Sequence, residues 1–132
     1  MEYRVRAERI DANGSLAFAK AAQVLLGTDL AGRDDAFNPV ELLLAALAAC
    51  MIKGVERVAP MLGFAFDGVE VVLQAERQDA QPKLVKITYQ MTVRTAESDD
   101  RLALLHRNIL KYGTISNTLA GAVDLEGTVA RM

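Results

Sequence analysis

Residues 38–50 read NPVELLLAALAAC, and this stretch begins the element that decides the fold. Asn38 is a preferred N-cap residue, and proline is well suited to the first helical position, which Pro39 would occupy. Glu41 falls in the first turn, where a negative charge complements the helix dipole. The segment therefore predicts a long helix that begins at Pro39.

The predicted helix is apolar on every side from Leu42 to Ile52, and we expect it to end just before Pro60. A helix that is apolar all round must be covered all round, and one small sheet with one shorter helix cannot do this. Two copies of the chain could pack these helices together, and four alanines would allow a close approach: Ala45, Ala46, Ala48 and Ala49. We therefore expect a homodimer with a large apolar interface. The alternative is a monomer that wraps the helix in its own chain.

The remaining segments predict strands and one further helix. Short strands form a meander through about residue 28, and a polar loop follows over residues 29–37. Two alternating runs, DGVEVVLQAER and KLVKITYQMTVRT, predict a long antiparallel hairpin with one buried face. A helix over residues 99–111, a short helix and a final strand complete the chain. The expected fold class is α+β, with antiparallel sheets packed on a long central helix in a single domain over residues 1–132.

Composition excludes several classes of function. The 132 residues are 52% apolar and 24% charged, which argues against disorder. A net charge of −2 gives no electrostatic footprint for nucleic acid. The longest apolar run is too short to cross a bilayer, and the charged start lacks the core of a signal peptide. We expect a cytoplasmic protein, where a free thiol stays reduced.

One cysteine and one histidine are the main candidates for chemistry. Most buried cysteines are inert packing residues, so composition alone favours that interpretation of Cys50. Lys53 and Arg57 share its predicted helix face, and positive charges there could favour the reactive thiolate. His106 lies at the edge of an apolar stripe and is expected to be a packing or surface residue. Without further ligands these two residues cannot make a standard zinc site, and no phosphate-binding motif is present, so no metal or cofactor is expected.

Two motifs resemble those of the OsmC/Ohr family of thiol-dependent hydroperoxide reductases. The first is NPVELLLAALAAC, and the second is ISNTL at residues 115–119, followed by a valine-rich last strand. The order of elements is similar over nearly the whole chain. The resemblance implies an intertwined homodimer with active sites near the interface, and a role in the oxidative stress response.

The resemblance also implies roles for particular residues. Cys50 matches the first cysteine of the family, which attacks the hydroperoxide oxygen and becomes a sulfenic acid. The second cysteine, which resolves it as a disulfide, is replaced by Gly113. The carboxylate that orients the first thiol is replaced by Val40. Glu41 is next to it, but about 2.5 helical turns before Cys50, and hence on the opposite face.

An arginine from the N-terminal part of the chain also orients the thiol in the family. Arg9 is the best match, with Arg4, Arg6 and Arg33 as alternatives. The candidate binding positions around the thiol are Lys53, Val40, Gly113, Ser116 and Asn117.

These departures leave different functions open. The chain could reduce organic hydroperoxides as a one-cysteine enzyme, with an external thiol regenerating Cys50. Alternatively, it is a non-catalytic dimer that binds a small hydrophobic ligand at its interface, with Cys50 as a packing residue. A stable dimeric scaffold of another role is the third hypothesis.

Overall fold

The computed structural model describes all residues from Met1 to Met132, and its contacts divide the chain into two compact units, Met1–Leu43 and Leu44–Met132. We call these the N-terminal unit and the C-terminal unit. The elements follow in this order: β1 (Arg6–Asp11), β2 (Gly14–Ala19), β3 (Ala22–Leu26), α1 (Pro39–Leu62), β4 (Gly68–Gln78), β5 (Lys83–Arg94), α2 (Asp99–Tyr112), α3 (Thr114–Ala120) and β6 (Asp124–Arg131). The mixed α+β composition agrees with the predicted fold class.

The N-terminal unit contains an antiparallel sheet in the order β1-β2-β3, which confirms the predicted meander. The turn between β2 and β3 has two residues, and the first of them, Lys20, has a φ of 54°. The loop that follows is anchored by Arg33, which donates to both carboxylate oxygens of Asp35 and to the carbonyl of Asn13 at 3.0 Å.

A capping box fixes the start of α1. The backbone N–H of Glu41 donates to Asn38 Oδ1 at 2.8 Å, and the backbone N–H of Asn38 donates to Glu41 Oε1 at 3.0 Å. Each side chain thus satisfies a backbone donor that the first turn leaves free. The predicted start of the helix is confirmed, and the carboxylate of Glu41 is occupied by the cap.

The predicted end of α1 is wrong, because the helix continues through Pro60 to Leu62. Gly63 then takes a φ of 61°, its N–H bonds to Pro60 O, and the N–H of Phe64 bonds to Ala59 O at 2.9 Å. These two bonds make a Schellman motif, which satisfies the last carbonyls after the proline has removed one helical donor. The left-handed glycine ends the helix.

The C-terminal unit holds a mixed sheet in the order β4-β5-β6. The antiparallel pairing of β4 with β5 confirms the predicted hairpin. Strand β6 runs parallel to β5, and α2 and α3 form the crossover that a parallel pair needs. This parallel pairing is the one departure from the predicted antiparallel sheets.

The core lies between the helices and one face of this sheet. From α1 it takes Leu47, Met51, Val55, Val58 and Ala59, and from α2 it takes Leu102, Leu105 and Ile109. Alternate residues of β5, at positions 87, 89, 91 and 93, are buried against them. No helix is both long enough and apolar enough to cross a bilayer.

Candidate functional site

Cys50 lies near the middle of α1 and is half-buried, between the buried core face of the helix and its exposed face. It is a free cysteine, and no hydrogen bond to its Sγ is present. The apolar run of α1 places it there because Leu47 and Met51, one turn before it and one residue after it, both face the core. A thiol in this position is at the edge of the core rather than inside it.

Gly113, at the junction of α2 and α3, lies beside this thiol. A Cβ placed on Gly113 would be 3.6 Å from Cys50 Sγ and 3.1 Å from the carbonyl oxygen of Ile109. The same Cβ would collide with Ser116 Oγ, so a side chain at position 113 requires Ser116 to move. The fold therefore brings together Cys50, Gly113 and Ser116, three of the residues singled out from the sequence.

The junction itself is held by the first turn of α3. Ser116 is 3% exposed, and its hydroxyl donates to the carbonyl of Gly113 at 3.1 Å. The backbone N–H of Asn117 donates to the same carbonyl at 2.9 Å, and its side-chain amide donates to Lys111 O at 3.4 Å. Asn117 is exposed, so its observed role is to tie α2 to α3.

The two cations expected near the thiol are on the surface of α1. Lys53 and Arg57 are exposed, and neither forms an ion pair. The structure therefore leaves both charges in solvent, where screening weakens their effect on a neighbouring group.

No carboxylate stands where the resemblance places the orienting one. Val40 is half-buried in the first turn of α1, and Glu41 is engaged in the capping box with Asn38. The family's carboxylate is therefore missing at position 40, and Glu41 is not free to replace it.

The arginines of the N-terminal unit differ in what they already bind. Arg33 forms a two-point ion pair with Asp35, and the guanidinium of Arg6 lies 4.4 Å from the ring centre of Phe18. Arg9 is exposed on β1 and forms no ion pair. Among these three, Arg9 is the one whose guanidinium is uncommitted.

A partly buried polar pair in the C-terminal unit carries no signal in the sequence. The hydroxyl of Tyr89 lies 2.5 Å from His106 Nε2, and the two rings meet edge to face. Burial raises the pKa of Tyr89 and lowers the pKa of His106, which favours the neutral form of both groups, and the tautomer of His106 determines which of the two donates. The alternation of β5 placed Tyr89 on the buried face, but no sequence signal linked it to α2.

Gly127 makes room for this pair. It lies opposite Tyr89 in the register of β5 and β6, and a Cβ at position 127 would enter the Tyr89 ring. The pair is a packing feature of the core. No group of three or more His, Cys, Asp or Glu side chains is arranged to hold a metal ion.

These features define an α+β protein with a half-buried thiol on a long helix, facing the junction of two shorter helices. The family model described as OsmC-like protein matches residues 32–127. This range covers well over half of the chain, and the chain belongs to the OsmC-like family.

Solved structures share the fold over the full length. An OsmC-like protein from Mycoplasma pneumoniae superposes with a TM-score of 0.87 at 21% identity, covering 100% of this chain and 96% of that one. An organic hydroperoxide resistance protein from Elizabethkingia anophelis gives a TM-score of 0.80 at 15% identity, with 100% and 99% covered. An organic hydroperoxide resistance protein OsmC from Legionella pneumophila gives 0.74 at 17% identity, with 97% of both chains covered. At these identities the likeness establishes the fold, and none of the curated proteins matches the sequence.

Proposed function

We propose that this protein reduces organic hydroperoxides with Cys50 as its only thiol, and that an external thiol regenerates it. Membership of the OsmC-like family supports this, as do two structural neighbours that are named organic hydroperoxide resistance proteins. We propose the cytoplasm as its location, because reducing thiols are available there. A role in the response to oxidative stress would follow from this activity.

The proposed reaction has two parts. Cys50 gives up its thiol proton, and the thiolate attacks the terminal peroxide oxygen. The O–O bond breaks, the sulfur becomes a sulfenic acid, and the departing alkoxide takes up one proton in place of the one lost by the thiol and leaves as the alcohol. An external thiol then attacks Sγ, an S–S bond forms, and water leaves. A second thiol cleaves this mixed disulfide and releases Cys50 reduced.

The observation that carries the proposal is the position of Gly113. Its missing side chain would begin 3.6 Å from Cys50 Sγ, in the place from which a second cysteine would resolve the first. The geometry thus suits the family reaction, but the resolving atom is absent, and reduction must come from another molecule. Arg9 is the proposed orienting cation, because it is the best match to the arginine of the family and its guanidinium forms no ion pair.

Mass spectrometry of the intact protein tests this function. Purified protein treated with cumene hydroperoxide should gain one oxygen at Cys50, and dithiothreitol should remove it and support turnover. The Cys50→Ser variant should gain none. If wild-type Cys50 remains a free thiol at modest peroxide excess, the enzymatic proposal is refuted.

We further propose that the working form is a homodimer. Exposed apolar side chains recur at three-residue intervals along α1 and wind around half of the helix: Leu43, Ala46, Ala49 and Ile52. Contiguous exposed apolar surface of this kind is typical of a protein interface. Light scattering should give twice the chain mass, and Ile52→Asp should shift it toward the monomer. A wild-type monomer at micromolar concentration would contradict the dimer.

Binding of a small hydrophobic ligand at the interface is the second candidate function. It is favoured by Val40 and by Glu41, which is occupied in the helix cap and therefore does not activate the thiol. Under this hypothesis Cys50→Ser would still bind an apolar fluorescent dye that the natural ligand displaces. If Cys50→Ser lost both dye binding and peroxide reduction, the result would favour the enzymatic function.

A further inference from the structure

The hydroxyl of Ser116 has hydrogen-bonding capacity that its one contact does not use. Its proton is donated to Gly113 O at 3.1 Å, and the residue is 3% exposed. A serine hydroxyl has two acceptor lone pairs besides its donor, and no donor reaches either of them here. Ser116 Oγ is therefore satisfied as a donor and remains able to accept a hydrogen bond from a further donor.

The empty Cβ position of Gly113 relates this hydroxyl to the thiol. Both are neighbours of a single point, the Cβ position of a side chain at residue 113, and Gly113 puts no atoms there. In the reduced protein no hydrogen bond joins Ser116 Oγ to Cys50 Sγ. An oxygen added to the sulfur would extend the Cys50 side chain by one bond, and Gly113 leaves open the point that both atoms adjoin.

We propose that Ser116 is a positioning residue for oxidised Cys50: its Oγ accepts a hydrogen bond from the sulfenic acid formed there. The inference rests on the proposed function, because it requires the sulfenic acid. The serine keeps its own proton on Gly113 O, so no rotation is needed. Ser116 forms and breaks no covalent bond, so the stoichiometry of the proposed reaction is unchanged.

This hydrogen bond gives a reason for the combination of Gly113 with a buried serine. With no second thiol, the sulfenic acid must last until an external thiol arrives. A second peroxide molecule would oxidise the sulfenic acid to a sulfinic acid, which ordinary thiols do not reduce. A proton shared with Ser116 keeps the sulfenic acid neutral, and therefore less nucleophilic toward that second peroxide.

The test measures what happens after the first oxidation. Protein oxidised with one equivalent of cumene hydroperoxide is given a second excess, and mass spectrometry follows sulfenic acid turning into sulfinic acid. Ser116→Ala should convert about fivefold faster, the effect of losing one hydrogen bond of average strength. Ser116→Thr, which keeps the hydroxyl, should restore the slow conversion.

A matched control is available in the same helix. The hydroxyl of Thr118 donates to Thr114 O at 2.8 Å, a similar backbone contact, but it is exposed. Thr118→Ala should convert as slowly as wild type. Gly113→Ala is a second variant, whose methyl group would displace the Ser116 hydroxyl without removing it, and it should also convert faster.

The outcomes separate the two proposals. If the sulfenic acid forms but Ser116→Ala and Thr118→Ala convert like wild type, the role of Ser116 is overturned and the enzymatic function stands. Failure of Ser116→Thr to restore slow conversion would overturn it too, since the hydroxyl would not be the cause. If wild-type Cys50 never gains an oxygen, the proposed function fails and this inference fails with it.

Discussion

The two units of the chain treat their apolar side chains in opposite ways. All thirteen buried hydrophobic residues belong to the C-terminal unit, whereas eight of the thirteen exposed large ones belong to the much shorter N-terminal unit. Strand β1 is exposed over all six of its residues. Since burial of apolar surface is the main favourable term in folding, the C-terminal unit holds the stability of the single chain. The N-terminal unit leaves most of its large apolar side chains exposed.

Core truncation should show the largest effect of this difference. Leu105→Ala removes a fully buried side chain and should cost about 2–5 kcal/mol of unfolding free energy. Ile10→Ala, on exposed β1, should cost less than about 1 kcal/mol in the monomer. Urea denaturation at two protein concentrations measures both. If Ile10→Ala cost as much unfolding free energy as Leu105→Ala, the two units would not differ in this way, and β1 would be covered in solution.

Gly127 gives the next largest expected effect. Gly127→Ala places a methyl group into the ring of Tyr89, which is buried and cannot move freely, so we expect a loss of about 1–3 kcal/mol. Gly68→Ala is the matched control in the same sheet, since its nearest neighbours would be 3.9 Å away. Thermal unfolding of both variants tests this, and equal melting temperatures would contradict it.

Because of the Tyr89–His106 pair, we expect part of the unfolding free energy to be lost at acidic pH. Burial lowers the pKa of His106, so the unfolded chain binds its proton at a higher pH than the folded one. Stability from this residue is complete above the ordinary histidine pKa of about 6.5 and is lost as pH falls toward the folded value. The unfolding free energy changes by at most about 1.4 kcal/mol per pH unit, which corresponds to the uptake of one proton.

Urea titrations between pH 7 and pH 5 measure this change in unfolding free energy. His106→Gln should flatten the slope, because His106 is the only histidine of the chain. An unchanged slope in that variant would assign the acid sensitivity to carboxylates instead.

The smallest effect is expected in the N-terminal unit, at Lys20. Its φ of 54° is uncommon for lysine but tolerated by asparagine, so Lys20→Asn should raise stability by about 0.5 kcal/mol. Ala21→Gly in the same turn should not, since only Lys20 has a positive φ there. The melting temperature of each variant measures the change, and a decrease for Lys20→Asn would show that its side chain makes contacts worth more than the strain.

Elements whose causes are local could be predicted from the sequence. Asn38 and Glu41 cap α1, alternation defines β4 and β5, and Ser98 caps α2 by accepting from the N–H of Arg101. Such signals act over a few residues, so they are legible without the fold. The end of α1 differs from the prediction because the Schellman bonds around Gly63 stabilise the last turn despite Pro60.

Contacts between residues that are distant in sequence depend on the tertiary structure. The parallel register of β6, the hydrogen bond between Tyr89 and His106, and the meeting of Cys50 with Gly113 all join separate elements. The sequence named Cys50, Gly113 and Ser116 as candidates through a resemblance of motifs, but it carried no distance between them. Only the packing of the α2–α3 junction against α1 set that distance, because burial of Leu47, Leu105 and Ile109 fixes where the helices lie.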